Sequence, residues 1–506
     1  MNHTWLFAIS AIALNPAILH PGFGQAPGTE VRTNSPTAVN PAGRPTEPPK
    51  SYYRDPRSYG TKRDPDPPRY VRQLSKSGVD AFKDLTWLDV GLDYRFRYEY
   101  RQDDIRRNRL GLDQPLLHRT RAYLGIKEIA DPFRFAVELT DSRRYNSGFV
   151  RDNRDVNEFE PTMLYAELYL ASLLGHDGLG NPRPLSVRAG RMNFEFLDRR
   201  LLGNNQWRNT PNTFDGFRAT LGREENDWQL DLLAVQPNLR LKYNVDEPTE
   251  GQWIFGAIGH WRGWSDSITL EPYYLMLRQA ATGATRNQPT AQLEREVHSL
   301  ALRGYGRVGQ TAFDYDFDAV YQFGYQNTAT GSQATRAFGL TSEVGYTFTH
   351  SWKPRLSAFY GYATGDRNPN DNQNERFERF YGFARPWSAN DYIVWENIST
   401  PKVRLDFQPH KKVRVDAGHS FYWLASDTDR FNNLRATGGP DSAYRDRTGR
   451  SGSYIGHEFD IRSRHQVTSK AEVTVGYSHF FAGGFTRSAG HRDSDFFYLQ
   501  ILVNAF

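Results

Sequence analysis

Residues 88–101 read LDVGLDYRFRYEYR, and every second residue is apolar or aromatic: Leu88, Val90, Leu92, Tyr94, Phe96, Tyr98 and Tyr100. Between them stand Asp89, Gly91, Asp93, Arg95, Arg97, Glu99 and Arg101. A strand repeats every two residues, so this stretch has one greasy face and one densely ionic face. Strands of globular sandwiches run to about 5 or 6 residues and turn their aromatic face inward. A strand more than twice that length, greasy on one side and charged on the other, suits a closed barrel in a bilayer. Its aromatic face meets hydrocarbon, and closure leaves no backbone group unpaired.

The alternation recurs from about residue 86 to the end of the chain. FDYDFDAVYQFGYQ, starting at Phe313, is the clearest second case, followed by FRFAVEL at 133, PLSVRAG at 184, VRLDF at 403, KVRVDAGHSFYW at 412 and AEVTVGYSHFF at 471. Turn clusters such as GHDGLGNPRP and QPHKK alternate with longer polar loops such as DSRRYNSGFVRDNRDVNEFEP. Helical periodicity is nowhere sustained. The sequence therefore predicts an all-β, antiparallel, transmembrane barrel of the outer-membrane type over residues 86–506. Roughly 420 residues at about 23 per strand and connection give about 16 to 18 strands, an even count. A mean hydropathy of -0.70 is too polar for a helical membrane protein but is what alternating strands average to.

Upstream, the apolar run WLFAISAIAL from Trp5 to Leu14 and the small residues ending at Ala26 have the layout of a secretory signal, which assigns residues 1–26 to a signal peptide. Residues 27–85 are rich in Pro, Thr, Ser, Arg and Asp and are expected to form a largely disordered periplasmic linker. The chain ends in DFFYLQILVNAF. Bacterial outer-membrane proteins resemble one another in such a last strand with a terminal aromatic, so the barrel insertion machinery is an expected partner. Phe497, Leu499, Ile501, Val503 and Ala505 share a face and Phe506 falls on the other, which calls for a bulge near Asn504.

Enzyme chemistry finds little support. GxxxxGK[ST], GxSxG and HExxH are all missing, and 0 cysteines exclude a thiolate metal site, so no enzyme activity and no cofactor are expected. DRNPNDNQNE, Asp366 to Glu375, has the oxygen density of a calcium loop. It lacks the Gly at position six and places Phe377 where a bidentate Glu should stand, which leaves adventitious Ca²⁺ at most. The 13 histidines show no paired spacing. A formal net charge of +5 does not make a polycation suited to nucleic acid.

The choice of base says more, since 52 of the 63 basic residues are Arg and 11 are Lys. Arg presents a planar fork that meets a carboxylate two bonds at a time. Interior parity collects Arg95, Arg97, Arg101, Arg119, Arg121, Arg134, Arg188, Arg218, Arg303, Arg404 and Arg414, together with Asp89, Asp93, Glu99, Glu138, Glu167, Asp406, Asp416, Glu458 and Asp460. Most of these charges should pair across the wall and stiffen a polar interior. Where Arg exceeds its internal partners, a positive constriction would select anions.

RAGRMNFEFLDRRLLGNNQWRNTPNTFDGFRATL, residues 188–221, resembles the signature of the alginate export family of outer-membrane porins. The matching residues are Gly190, Arg191, Asp198, Arg200, Leu201, Gly203, Trp207, Asn209, Phe214, Asp215 and Arg218. YATGDRNPND, RFERFYGFARPWS, IGHEFDI and GYSHFFAGGF extend the likeness, while Met192, Leu197 and the segment Ala384 to Trp387 depart from it. The resemblance implies a monomeric barrel of about 18 strands in the outer membrane, passing a polyuronate outward through an Arg-lined pore, and it adds Arg191 to the pore-lining candidates. Its partners would be an anionic polysaccharide, outer-membrane lipid and periplasmic polymer-export proteins. The alternatives are an uptake or general porin for small anionic solutes and, less favoured, an anchoring barrel closed by its loops.

Overall fold

The computed structural model describes residues 51–368, 370–431, 434–436 and 443–505; the expected signal peptide and Phe506 lie outside them. Among the described residues, 18 long antiparallel strands form the wall. In chain order they are β1 Leu88–Gln102, β2 Leu116–Ile126, β3 Phe133–Tyr145, β4 Asn157–Leu170, β5 Leu185–Met192, β6 Phe214–Gly222, β7 Trp228–Leu239, β8 Gln252–Trp261 and β9 Ile268–Gln279. The second half comprises β10 Arg295–Arg307, β11 Phe313–Thr328, β12 Gly331–Thr347, β13 Arg355–Ala363, β14 Ile398–His410, β15 Val413–Trp423, β16 Tyr454–Thr468, β17 Ala471–Ala482 and β18 Ser494–Asn504. β1 pairs with β2 on one edge and with β18 on the other, so the sheet has no free edge. Closure is what a bilayer requires, since hydrocarbon offers no partner to an open ladder.

The alternation read in residues 88–101 is the two faces of β1. Asp93, Arg95, Arg97, Glu99 and Arg101 are buried toward the lumen, and Tyr94, Phe96, Tyr98 and Tyr100 lie half-exposed outside. The same parity puts Phe135, Leu139, Leu164, Phe217, Leu300 and Tyr321 on the outer surface. Among the described residues, which stop at Ala505, the bulge expected near Asn504 does not form. The β1–β18 register runs unbroken to Asp93 opposite Asn504, and the Ala505 amide prolongs the ladder by donating to the Leu92 carbonyl at 2.9 Å.

The two ends of the barrel differ. At the turn end, where β1 starts and β18 finishes, connections are as short as Lys411–Lys412 and Ser469–Lys470. At the loop end the connections 193–213 and 364–397 fold inward rather than out. They bring Phe194, Phe196, Leu201, Phe377, Trp387 and Trp395 into a buried apolar cluster inside the barrel. A parallel bridge between Leu202 and Tyr381 joins the two loops, reinforced by the Phe383 amide donating to the Arg199 carbonyl at 2.8 Å. Gly382 makes that approach possible, because a side chain there would run into the Arg200 carbonyl. Leu197, Arg199, Phe380 and Asp391 all take left-handed backbone, so packing in these loops overrides local preference.

The described part of the expected linker is not disordered. Val71–Gln73 pairs with the start of β1, and residues 51–70 cross the turn-end half of the lumen. Pro56, Pro65, Pro67 and Pro68 keep this segment out of any ladder, which composition alone registers as disorder. Its side chains hold it instead. Ser58 donates to Glu343 at 2.6 Å, the Tyr59 ring lies under the Arg404 guanidinium at 3.6 Å, and Tyr70 donates to Glu138.

Candidate functional site: an arginine-lined lumen

Most of the wall arginines singled out by parity meet carboxylates. Arg303 donates to Glu271 at 2.7 Å and to Asp316 at 2.8 Å. Arg404 reaches Asp416 and Asp460, both at 2.8 Å. Arg191 reaches Glu160 at 2.5 Å and Asp215 at 2.7 Å. Arg188 pairs with Glu167 at 3.1 Å and Arg218 with Asp231 at 2.9 Å, and both also approach Asp66 of the crossing segment, at 2.5 and 3.5 Å. Removing either partner from such a knot would strand a charge, so these groups stiffen the wall.

A second group is different in kind. β1 and β2 set Arg95, Arg97, Arg119 and Arg121 side by side, facing the chain at 206–209 of an inward loop. Arg121 has Asp93 at 2.8 Å and Arg97 has Glu99 at 3.0 Å. Arg95 donates to the carbonyls of Gln206 and Arg208 at 2.9 and 2.7 Å and to Asn209 Oδ1 at 3.1 Å; Arg119 donates to Gln206 Oε1 at 3.0 Å. These acceptors are neutral dipoles, so neither guanidinium donates to a carboxylate among the described residues. Trp207 is clasped between the guanidiniums of Arg97 and Arg385, 4.0 and 3.8 Å from its ring.

Toward the loop end the excess grows. Arg106 and Arg208 share one carboxylate, that of Asp391, and Arg240 donates to Asn212 Oδ1 at 2.8 Å. Burial, and then the charges of Arg106, Arg240, Arg154 and Arg379, hold the Arg208 guanidinium well below its ordinary value. Burial, and then Arg107, push Arg154 down to about 10. Guanidiniums that depress one another in this way favour an anion between them. A cavity of ≈ 30 Å³, about the room one or two waters need, lies among Arg97, Arg101, Arg106, Arg107 and Arg208 and the acids Glu99, Asp104, Asp155 and Asp391.

Two expected candidates stand apart. Arg134 is half-buried with its guanidinium 3.5 Å above the Tyr169 ring. Arg414 has the inward parity but is exposed near the turn end, opposite Arg464. The loop arginines Arg106, Arg154, Arg208, Arg240 and Arg379 are absent from the parity-derived set because loops have no parity; their traces were the overall preference for Arg and, for Arg208 and Arg379, the family-like segments that contain them. In the calcium-like loop, Arg367 engages Glu375 at 2.5 and 2.8 Å and Arg445 reaches Asp366 at 3.2 Å, so guanidinium already meets those carboxylates. Among the described residues, no three His, Asp or Glu side chains converge as metal ligands would.

Solved structures share this architecture. OpdK of Pseudomonas aeruginosa, determined with vanillate, is similar at a TM-score of 0.55 and 12% identity over 82% of this chain and 98% of that one. OccD3 (OpdP) of Pseudomonas aeruginosa gives 0.53 and 10% over 89% and 98%, and OccAB1 of Acinetobacter baumannii 0.51 and 12% over 86% and 100%. At such identities the likeness is one of fold. No curated protein matches the chain. The alginate export model matches residues 86–500, the whole barrel but for its last few residues, and the chain belongs to the alginate export family.

Proposed function

We propose that the protein is an outer-membrane channel that passes an anionic polysaccharide, a polyuronate of the alginate kind, outward from a periplasmic turn end to an external loop end. The observation that carries this reading is the arginine excess at the level of Gln206, where Arg95 and Arg119 rest on neutral oxygens. A polymer carboxylate can take such a guanidinium without stranding an internal acid, whereas it would have to break a matched knot such as Arg303 with Glu271 and Asp316. Binding at successive sites of this sort is firm enough to admit the chain and weak enough to release it. The channel performs no chemistry of its own and works as a monomer in outer-membrane lipid, placed there by the barrel insertion machinery and fed by periplasmic polymer-export proteins.

The test is reversal potential in planar bilayers under a KCl gradient. Wild type should prefer anions, and Arg95→Glu with Arg119→Glu and Arg208→Glu should abolish or invert that preference; an unchanged preference defeats the reading. A second reading, uptake of small anionic solutes, draws on the same arginines and is favoured by one observation, the inward loops that fill the lumen. Gene deletion separates the two, through loss of surface polymer or loss of growth on a small acid.

A further inference from the structure

We propose that residues 51–73 are a tethered competitor for the channel's own arginines, a strap that closes the turn-end half of the lumen until a polyanion displaces it. This rests on the reading of the lumen as a path for a polyanion. The strap touches opposite sides of the wall. Ser58 is anchored on Glu343 of β12, Tyr59 on Arg404 of β14, Asp66 on Arg188 and Arg218 of β5 and β6, and Tyr70 on Glu138 of β3. An element bound to strands this far apart around the ring crosses the bore and narrows it.

The manner of attachment sets the strap apart from a fixed plug. Its one ladder with the wall is Val71–Gln73 against Asp89–Gly91, at its C-terminal end, and this can serve as the hinge. Upstream of it the prolines preclude a continuous ladder, so side chains carry the load. The chief of these is Asp66, a carboxylate within reach of two guanidiniums, which is the chemistry that a uronate would bring. The strap therefore fills with its own acid a site suited to the cargo's acid.

Charge supplies the displacing force. Residues 51–73 hold six Arg and Lys against three Asp. A polyanion thus competes with Asp66 for Arg188 and Arg218, and it also binds bases that the strap exposes, such as Lys62. It prefers the displaced state on both counts, and such a difference in affinity is what can shift an occupancy. A small monovalent acid would satisfy one guanidinium and leave the strap's other anchors in place.

The experiment uses the full-length protein in planar bilayers, with folding verified by heat-modifiable mobility on gels. Asp66→Lys should raise the open probability about tenfold, the response to about 1.4 kcal/mol in a two-state occupancy. Tyr59→Ala should act in the same direction, and Asp64→Asn, which alters an acid paired with Arg69 on the strap itself, should not. Oligouronate added on the turn side should open wild type, and neutral dextran of equal length should leave it closed. With no native cysteine, a Ser58→Cys, Glu343→Cys pair bridged by a short bismaleimide should hold the channel shut against oligouronate. Equal conductance in wild type, Asp66→Lys and Tyr59→Ala would overturn the proposal, as would an Asp66→Lys channel that opens while wild type ignores oligouronate. The reversal potential of the opened variant reads the channel's selectivity separately, so cation preference there would sink the polyanion path and leave the strap's closure standing.

Discussion

Arg95 and Arg119 lie directly opposite one another in the β1–β2 register, and both guanidiniums donate to the Gln206 carbonyl, at 2.9 and 3.3 Å. Like charges directly opposite across a ladder destabilise it, so a barrel selected for stability alone would not keep this pair. Arg119→Gln should therefore leave the unfolding midpoint in detergent unchanged or slightly raised while weakening anion selectivity. A drop in stability of several kcal/mol would show that the pair is structural.

Arg303 is the contrasting case. It is 1% exposed, between Glu271 and Asp316, and Arg303→Met leaves two acids facing each other. The expected loss is about 3–5 kcal/mol, measured by urea unfolding in detergent micelles. Adding Glu271→Gln and Asp316→Asn should recover most of it. Failure of that rescue would mean the guanidinium acts through packing and not charge.

The loop at 240–251 should respond to pH. Burial raises the Asp246 carboxyl to about 6, above its ordinary 3.8. Above about pH 6 the folded loop carries a buried charge that the unfolded chain solvates freely. As pH falls toward 4 the folded form takes up its proton first and the penalty disappears. Amide exchange in residues 240–251 should accordingly be slower at pH 5 than at pH 8, after correction for intrinsic rates, and Asp246→Asn should flatten the difference. Faster protected exchange at pH 5 would reverse the assigned direction.

Gly382→Ala should part the two inward loops. A β-carbon at 382 collides with the Arg200 carbonyl, backbone that no rotamer change can move aside. The expected result is a barrel that still inserts but conducts more, with the loop-end aromatics loosened. If conductance and thermal midpoint both match wild type, the contact between the loops is not what fills the lumen.

Alternation carried the wall because lipid and water enforce it on every strand, so β1 and β11 could be read residue by residue. Side-chain partners across strands were far less legible. His419 and His457, 38 positions apart, meet at 3.0 Å through a register that no local spacing records. The inward loops hid for another reason: NFEFLDRRLL and FYGFARPWSANDYIVW are apolar enough to be core, but a sequence does not say on which side of the wall that core will sit. The strap was misread because proline-rich composition marks an absence of ladder, and absence of ladder is not absence of place.

The aromatic cluster enclosed by the wall has a spectroscopic corollary. Trp387 and Trp395 are each 1% exposed inside the barrel, while Trp261 and Trp264 are about half exposed on its outer surface. The protein's emission should thus divide into two populations, one quenched by brominated lipid or doxyl-labelled acyl chains and one indifferent to them. The second is a built-in reporter of the loops and the strap, readable in intact membranes without a label.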